Sequence, residues 1–243
     1  MTSGRIVLTA LMLAGAGIVA GAPAPARAGV VVASSGPSAG QFPTGKKLAD
    51  TDTVVLKGGD SITVLDAAGT RVLKGPGNFR VGAKGGDKRS TFAMLTRQRA
   101  AQRVRTGAVR GGGGEGPATN PSLWNVEVDK SGTICVTPGT TINLWRPSSA
   151  GEGSYTVQQP GSEQHVHVQF ADGDSTAVWN PEELPLKEGS SYAISAPGGS
   201  ASTVTFEFID PATDDPEGLA QELAAKGCKV QLDQLANAMM TSS

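Results

Sequence analysis

Residues 58–77 read GGDSITVLDAAGTRVLKGPG and predict a β-hairpin. Two runs rich in β-branched residues, at 61–65 and 70–73, are separated by the turn-forming residues 66–69. Glycine and proline at residues 75–77 end the second run. Close spacing of short strands and glycine turns is typical of small β modules.

Similar short runs at residues 29–33 and 53–57 precede this hairpin. Together with the hairpin they make a series of short strands joined by tight turns. We therefore expect residues 29–83 to form a small N-terminal β module, built as a barrel or a folded meander.

Residues 45–81, with their GD-SITVLD, GTRVL and GPG segments, resemble the small β domain of FecR-type bacterial envelope proteins. The chain also resembles a family of exported alphaproteobacterial envelope proteins. In the second half this likeness lies in LWRP at residues 144–147 and GC-x-x-QLDQL at residues 227–235. The resemblance implies an envelope module and no particular chemistry.

Apolar and polar residues alternate repeatedly after residue 122, as half-buried strands require. The apolar members are Trp124, Val126, Val128, Ile134, Val136, Ile142, Leu144, Val166, Val168, Phe170, Tyr192, Ile194, Val204, Phe206 and Phe208. Seven or eight short strands over this length predict an antiparallel β-sandwich of immunoglobulin-like size. The chain as a whole is thus expected to be mainly all-β.

The last part of the predicted C-terminal module, residues 122–243, changes to a helical period. Asp215 followed by Pro216 is a helix start, and Gly227 is a stop. Apolar residues recur at helical spacing on both sides of this glycine, at Leu219, Leu223, Leu232, Leu235, Ala236 and Met239. We expect two short helices that pack on the sandwich.

Residues 84–121 are predicted to be a basic helix followed by a glycine-rich linker. Ser90 can cap the helix, and Phe92 and Leu95, with Met94 as a further candidate, give it a thin apolar stripe. Four consecutive glycines at residues 111–114 then favour a flexible connection.

Basic side chains in this connector are candidates for contact with an anionic envelope surface, such as lipid headgroups or acidic polysaccharide, or with an envelope protein. The candidates are Arg97, Arg99, Arg103 and Arg105. The simpler alternative is a solvated connector that its charge keeps soluble.

Residues 1–28 predict a signal peptide. Arg5 precedes an apolar run at residues 6–20 that is short for a membrane span, and Ala26-Arg27-Ala28 fits a signal-peptidase site. The mature chain should begin near Gly29 and be periplasmic or secreted. No later segment is apolar enough to predict a transmembrane span.

The two cysteines, Cys135 and Cys228, predict a disulfide in such an oxidising compartment, with two separately buried thiols as the alternative. Cys135 is out of phase with Ile134 and Val136, so it should face away from the core side of its strand. A bridge to Cys228 would then attach the helical tail to the other face or edge of the sheet.

The only histidines, His165 and His167, are two residues apart, which places both on one face of a strand. With Glu163 they are candidate ligands for zinc or copper, since a catalytic zinc site needs three protein ligands; outside this segment the sequence names no further partner. The alternative is a solvated polar face opposite Val166 and Val168.

Trp145 and Trp179 are candidates for stacking on a glycan, because each lies where its ring can be exposed; packing is the alternative. The acidic groups at residues 172–174 and 210–215 lack the full oxygen-ligand loop of a calcium site. Turn formation and helix capping explain these groups more simply.

The chain carries 21 basic and 22 acidic residues, a formal net charge of −1 that gives no general attraction for nucleic acid. None of the sequence motifs typical of serine hydrolases, metalloproteases or phosphate-binding loops is present. We expect an exported envelope protein that binds or scaffolds without catalysis. The alternative is a periplasmic metal- or glycan-binding module, and a hydrolase built on dispersed carboxylates is a third option.

Overall fold

The structure is a computed structural model that describes residues 27–66, 68–82, 89–96, 119–210 and 215–240. It is mainly β, as the sequence predicts. The strands are β1 (Arg27–Ser35), β2 (Lys47–Ala49), β3 (Thr53–Leu56), β4 (Ser61–Asp66), β5 (Gly69–Lys74), β6 (Gly77–Arg80), β7 (Asn125–Glu127), β8 (Gly132–Val136), β9 (Ile142–Trp145), β10 (Gly153–Gln158), β11 (His165–Phe170), β12 (Thr176–Trp179), β13 (Ser191–Ser195) and β14 (Ser202–Phe208). The helices are a 3-10 turn (Ala39–Gln41), α1 (Arg89–Thr96), α2 (Pro216–Ala225) and α3 (Lys229–Ala238).

The N-terminal strands form two sheets around one core. The hairpin expected from residues 58–77 is confirmed as the antiparallel pair β4 and β5. It belongs to a four-stranded sheet in the order β2-β1-β4-β5, while β3 pairs with β6 in a second sheet. The N-terminal core consists of Val31, Phe42, Leu48, Val54, Leu56, Ile62, Val64 and Val81. Because β1 lies between β2 and β4, the strand order differs from that of a simple meander.

The C-terminal strands also form two sheets that share a core. A five-stranded sheet has the order β11-β10-β13-β14-β8, and a three-stranded sheet has the order β12-β9-β7. Inward residues of both sheets make the C-terminal core, which includes Val126, Ile134, Val136, Leu144, Val166, Val168, Phe170, Trp179, Tyr192, Ile194, Val204 and Phe206.

The prediction that this part is wholly antiparallel is wrong. β14 and β8 run parallel, and so do β7 and β9. The reason is physical: alternation of apolar residues tells which side chains face inward, but the direction of the neighbouring strand depends on long connections that alternation does not encode.

A third buried cluster, the shared core, joins the two halves of the chain. From the N-terminal sheet it takes Val30, Val32 and Leu65, and from the helices it takes residues such as Leu219, Leu223, Leu232, Leu235 and Met239. The expectation that the helical tail packs on the sandwich is therefore only partly right. α2 lies on β1 and β4, whereas α3 lies mainly on β8 and also contacts β1 and β5.

The helix signals in the tail are confirmed. Asp215 is the N-cap of α2 and its side chain accepts a hydrogen bond from the backbone N–H of Gly218. Gly227, with φ of +74°, lies between α2 and α3, in a conformation that favours glycine. In α1, Phe92 and Leu95 are buried as expected, whereas Met94 is 71% exposed.

The predicted disulfide between Cys135 and Cys228 is present, with a Cα–Cα distance of 5.8 Å and a sequence separation of 93. Cys135 belongs to the shared core, whereas its neighbours Ile134 and Val136 belong to the C-terminal core. The phase argument from the sequence is thus confirmed, and the bridge fixes the start of α3 to β8.

The predicted signal peptide lies almost wholly outside the described residues, and β1 begins at Arg27. Within the described part of the chain, no helix is long and apolar enough to cross a bilayer.

Candidate binding face on the C-terminal sheet

One end of the five-stranded sheet, formed by β11, β10 and β13, has a polar outer surface that we call the histidine face. Its register is regular: His167 pairs with Thr156, which pairs with Ser195 on its other side. One step along, His165 pairs with Gln158. The histidine face comprises Ser154, Thr156, Gln158, His165, His167, Gln169, Ala193 and Ser195.

Strict alternation along β11 produces this face. His165, His167 and Gln169 are exposed, while the intervening Val166 and Val168 are buried in the C-terminal core. The prediction that both imidazoles share one side of a strand is confirmed, and their ring centroids are 5.1 Å apart.

Each imidazole has a partner at Nδ1. The Nδ1 of His165 lies 3.0 Å from the backbone carbonyl oxygen of Glu163. Because a carbonyl oxygen can only accept, Nδ1 carries the hydrogen and Nε2 of the neutral ring keeps a free lone pair. The Nδ1 of His167 lies 3.2 Å from Oγ1 of Thr156. A backbone carbonyl is one of the groups, with carboxylates and water, that accept a hydrogen bond from the other ring nitrogen of a metal-binding histidine.

The three-residue metal site of His165, His167 and Glu163 is not assembled, and this prediction is corrected. Among the described residues, no group of three or more histidine, cysteine or acidic side chains is placed to hold a metal ion. Glu163 precedes β11, so strand alternation does not fix its side chain beside the rings, and it contributes its backbone carbonyl instead.

The histidine face carries no lysine, arginine, aspartate or glutamate, although the chain contains 21 basic and 22 acidic residues. Its polar groups instead form hydrogen bonds across the strands and to the turn between β10 and β11. Gln169 donates from Nε2 to Oγ of Ser154 at 2.9 Å. Gln158 donates from Nε2 to the carbonyl of Ser162 at 2.8 Å. The surface is therefore an ordered array of uncharged donors and acceptors.

β11 is an edge strand of its sheet within the described residues. Its six pairs with β10, from His165 to Phe170, run without a register shift. Edge strands of natural proteins are commonly protected by lysine, proline or a bulge, and β11 has none of these. β12, which belongs to the other sheet, also lies beside β11.

The tryptophans predicted to stack on a glycan are buried, so this prediction is corrected. Trp145 is 4% exposed and Trp179 is fully buried. Trp179 packs edge to face against Tyr192 and Phe206, with ring centroids 5.1 and 5.7 Å away. It is in phase with the inward Ala177, so its ring belongs to the core rather than to the surface.

The remaining candidates take structural roles or lie outside the described residues. Oδ1 of Asp172 accepts a hydrogen bond from the backbone N–H of Gly151 at 2.7 Å, and Asp215 caps α2. Helix capping therefore accounts for Asp215, whereas Asp172 links two loops. Arg97, Arg99, Arg103 and Arg105 lie outside the described residues.

Sequence reasoning missed the β10 half of the histidine face. Ser154, Thr156 and Gln158 alternate with Tyr155 and Val157, which is the same signal that located β11.

Comparison with protein-family models, with curated proteins and with solved structures finds no match to this chain.

Proposed function

We propose that the protein is an exported envelope protein that binds or scaffolds a protein partner without catalysis. In this proposal a FecR-like N-terminal β module and a C-terminal β-sandwich form one body through the shared core, and the histidine face is the binding surface.

The observation that carries the proposal is the uncharged polar character of the histidine face. Charged residues are depleted at the centres of protein interfaces, because burying an unpaired charge is costly. A sheet face that stays exposed to solvent has no such reason to lack charged residues. The exposed positions of β11 are nonetheless two histidines and a glutamine, and β10 presents serine, threonine and glutamine beside them.

Export is supported by the sequence of residues 1–28 and by the disulfide between Cys135 and Cys228. Disulfides persist in oxidising compartments such as the periplasm or the cell exterior. An envelope location also favours an envelope protein as the partner. Sequencing the N-terminus of native protein tests this part: a start near residue 29 supports export, and a start at Met1 in cytosolic fractions overturns it.

Affinity capture tests the binding surface. Mature protein serves as bait for detergent-solubilised envelope extract, at low and at high salt. A Thr156→Lys/Gln169→Lys variant places two charges on the histidine face. The control, Thr176→Lys, places a charge at an exposed position of β12 in the other sheet.

We expect wild type and the control to retain the same partner, and the double variant to lose it. Retention should persist at high salt, because an uncharged face is insensitive to screening. Equal capture by the double variant contradicts a role for this face, and conversion of a metabolite by the purified protein contradicts a purely binding function.

A further inference from the structure

We infer that cleavage after Ala28 gives the mature chain an α-ammonium group at Gly29 that forms an ion pair with the carboxylate of Asp66. The ion pair fixes the new N-terminus to the end of β4. The inference rests on the export part of the proposed function, because the leader must be removed, and it is independent of the histidine face.

The first observation is that the predicted cleavage site lies inside a strand. β1 begins at Arg27, and its register with β2 pairs Gly29 with Leu48. Cleavage between Ala28 and Gly29 therefore leaves the first residue of the mature chain within a sheet, not in a free tail. The position of the new α-ammonium group is thus set by the register of β1.

The second observation is that Asp66 lies opposite this residue. Val30 pairs with Leu65 in the antiparallel ladder of β1 and β4, so the next step along the ladder brings Gly29 opposite Asp66. A Cβ atom on residue 29 would lie 2.9 Å from the carbonyl oxygen of Leu65 and 3.5 Å from the Cβ of Asp66. Glycine is therefore the residue that fits here, and its Cα lies within about 5 Å of the Asp66 Cβ, since a Cα–Cβ bond adds about 1.5 Å.

The third observation is that the carboxylate of Asp66 is already held in place. Its side chain is only 11% exposed. Oδ1 accepts a hydrogen bond from the backbone N–H of Ala68 at 2.8 Å, and Oδ2 accepts one from the guanidinium of Arg71 at 2.8 Å. Because a carboxylate oxygen has two lone pairs, each oxygen can accept a further hydrogen bond. Asp66 then lies between two cations, Arg71 and the new N-terminus.

Cleavage changes the charge at this end of the sheet. Before cleavage, the nitrogen of Gly29 belongs to a neutral peptide group, and after cleavage it is an ammonium group. Hydrogen bonds between two ionised groups are stronger than bonds to a neutral donor. Asp66 should therefore stabilise the mature chain more than it stabilises a chain that still carries residues before Gly29.

Urea unfolding of two chain lengths tests the inference. One chain starts at Gly29, and the other keeps residues 23–28 in front of it, so that its ammonium group lies elsewhere. We expect Asp66→Asn to raise the unfolding equilibrium constant about tenfold more in the shorter chain. The lost contacts with Ala68 and Arg71 are common to both lengths and cancel in this comparison. Asp60→Asn, which removes another buried carboxylate of the same module, is the control and should have equal effects in both lengths.

A crystal structure of the mature chain gives a second, direct measurement. We expect the nitrogen of Gly29 within about 4 Å of an Asp66 carboxylate oxygen. A larger distance, or an equal effect of Asp66→Asn in both lengths, would overturn the inference.

Sequencing the N-terminus of native protein separates this inference from export. A start at Met1 overturns both. A start at a residue near Gly29 other than Gly29 itself overturns the ion pair and leaves export standing. Loss of envelope capture by the Thr156→Lys/Gln169→Lys variant would still support the binding role of the histidine face in each case.

Discussion

The side-chain amide of Gln231 makes both backbone hydrogen bonds of Cys135. Oε1 accepts from the N–H of Cys135 at 2.6 Å, and Nε2 donates to its carbonyl oxygen at 2.8 Å. The same Nε2 donates to the carbonyl of Leu123 at 2.9 Å. Gln231 is 2% exposed, so a side chain of α3 replaces the neighbouring strand that the edge of β8 lacks.

Gln231→Leu should destabilise the protein by about 3 kcal/mol, because it leaves buried backbone groups of Cys135 and Leu123 without partners. Urea unfolding monitored by tryptophan fluorescence measures the change. The control is Gln234→Ala in the same helix, whose Nε2 makes one bond, to the carbonyl of Asn120. It should cost about 1 kcal/mol, and an equal loss in both variants would contradict the special role of Gln231.

Removing the disulfide should lower stability strongly. Cys135 and Cys228 are 93 residues apart, and closing a loop of that length restricts the unfolded chain by about 4–5 kcal/mol in the chain-entropy model. Unfolding of the Cys135→Ala/Cys228→Ala variant, compared with oxidised wild type, measures this contribution. Adding reductant should lower the stability of the wild type and leave the variant unchanged, and a wild type indifferent to reductant would contradict the prediction.

Asp60 should make the N-terminal module sensitive to acid. Its buried carboxylate accepts backbone hydrogen bonds from Ser38 at 2.8 Å and from Lys57 at 2.6 Å. These bonds hold the pKa of the Asp60 carboxyl below its ordinary value of 3.8, and the bond from Ser38 has the largest effect. A depressed folded-state pKa means that the stabilisation is present above this value and is lost as the pH falls through the folded-state pKa.

Thermal unfolding between neutral pH and about pH 2 tests that dependence. Asp60→Asn should have a lower Tm than wild type at neutral pH. The difference in Tm between the two proteins should become smaller as the pH falls. Asp129→Asn, which removes an exposed carboxylate, serves as the control. A gap that stays constant across the pH range would show that the charge of Asp60 is not what stabilises the fold.

Arg146 should hold together two loops beside the C-terminal sheets. Its guanidinium donates to the carbonyl oxygens of Asp174, Gly151 and Ala171 and lies 4.9 Å from the centre of the Phe170 ring. A lysine ammonium cannot reproduce this planar set of donors.

Arg146→Lys should therefore cost about 2 kcal/mol and speed amide exchange in residues 147–152 and 171–175. Hydrogen exchange followed by mass spectrometry locates the effect, and Arg80→Lys at an exposed position of β6 is the control. Unchanged exchange in both loops would contradict the role assigned to Arg146.

The sequence was most informative where local chemistry decides the outcome. The turn between β4 and β5, the Asp215 cap and the Gly227 stop all follow from short-range preferences, and the structure contains each of them. The phase of Cys135 against its neighbours was equally readable, because alternation on a strand is a local property.

The same reasoning did not predict contacts between segments that are far apart in sequence. Apolar spacing showed that Leu219 and Leu223 lie on one side of a helix, but not that this side meets β1 and β4 instead of the C-terminal sheets. The burial of Trp145 and the amide contacts of Gln231 likewise depend on segments far away in sequence. Periodicity identifies a face, and the partner of that face depends on the tertiary structure.

The shared core has a consequence for how the chain matures. Val30, Val32 and Leu65 are synthesised before the strands of the C-terminal sheets, and the helices that cover them follow only after those strands. Until α2 and α3 are synthesised, the nascent N-terminal half exposes this apolar surface to chaperones and proteases. Proteolytic cleavage before residue 215 would leave this apolar surface permanently exposed and cause the protein to aggregate.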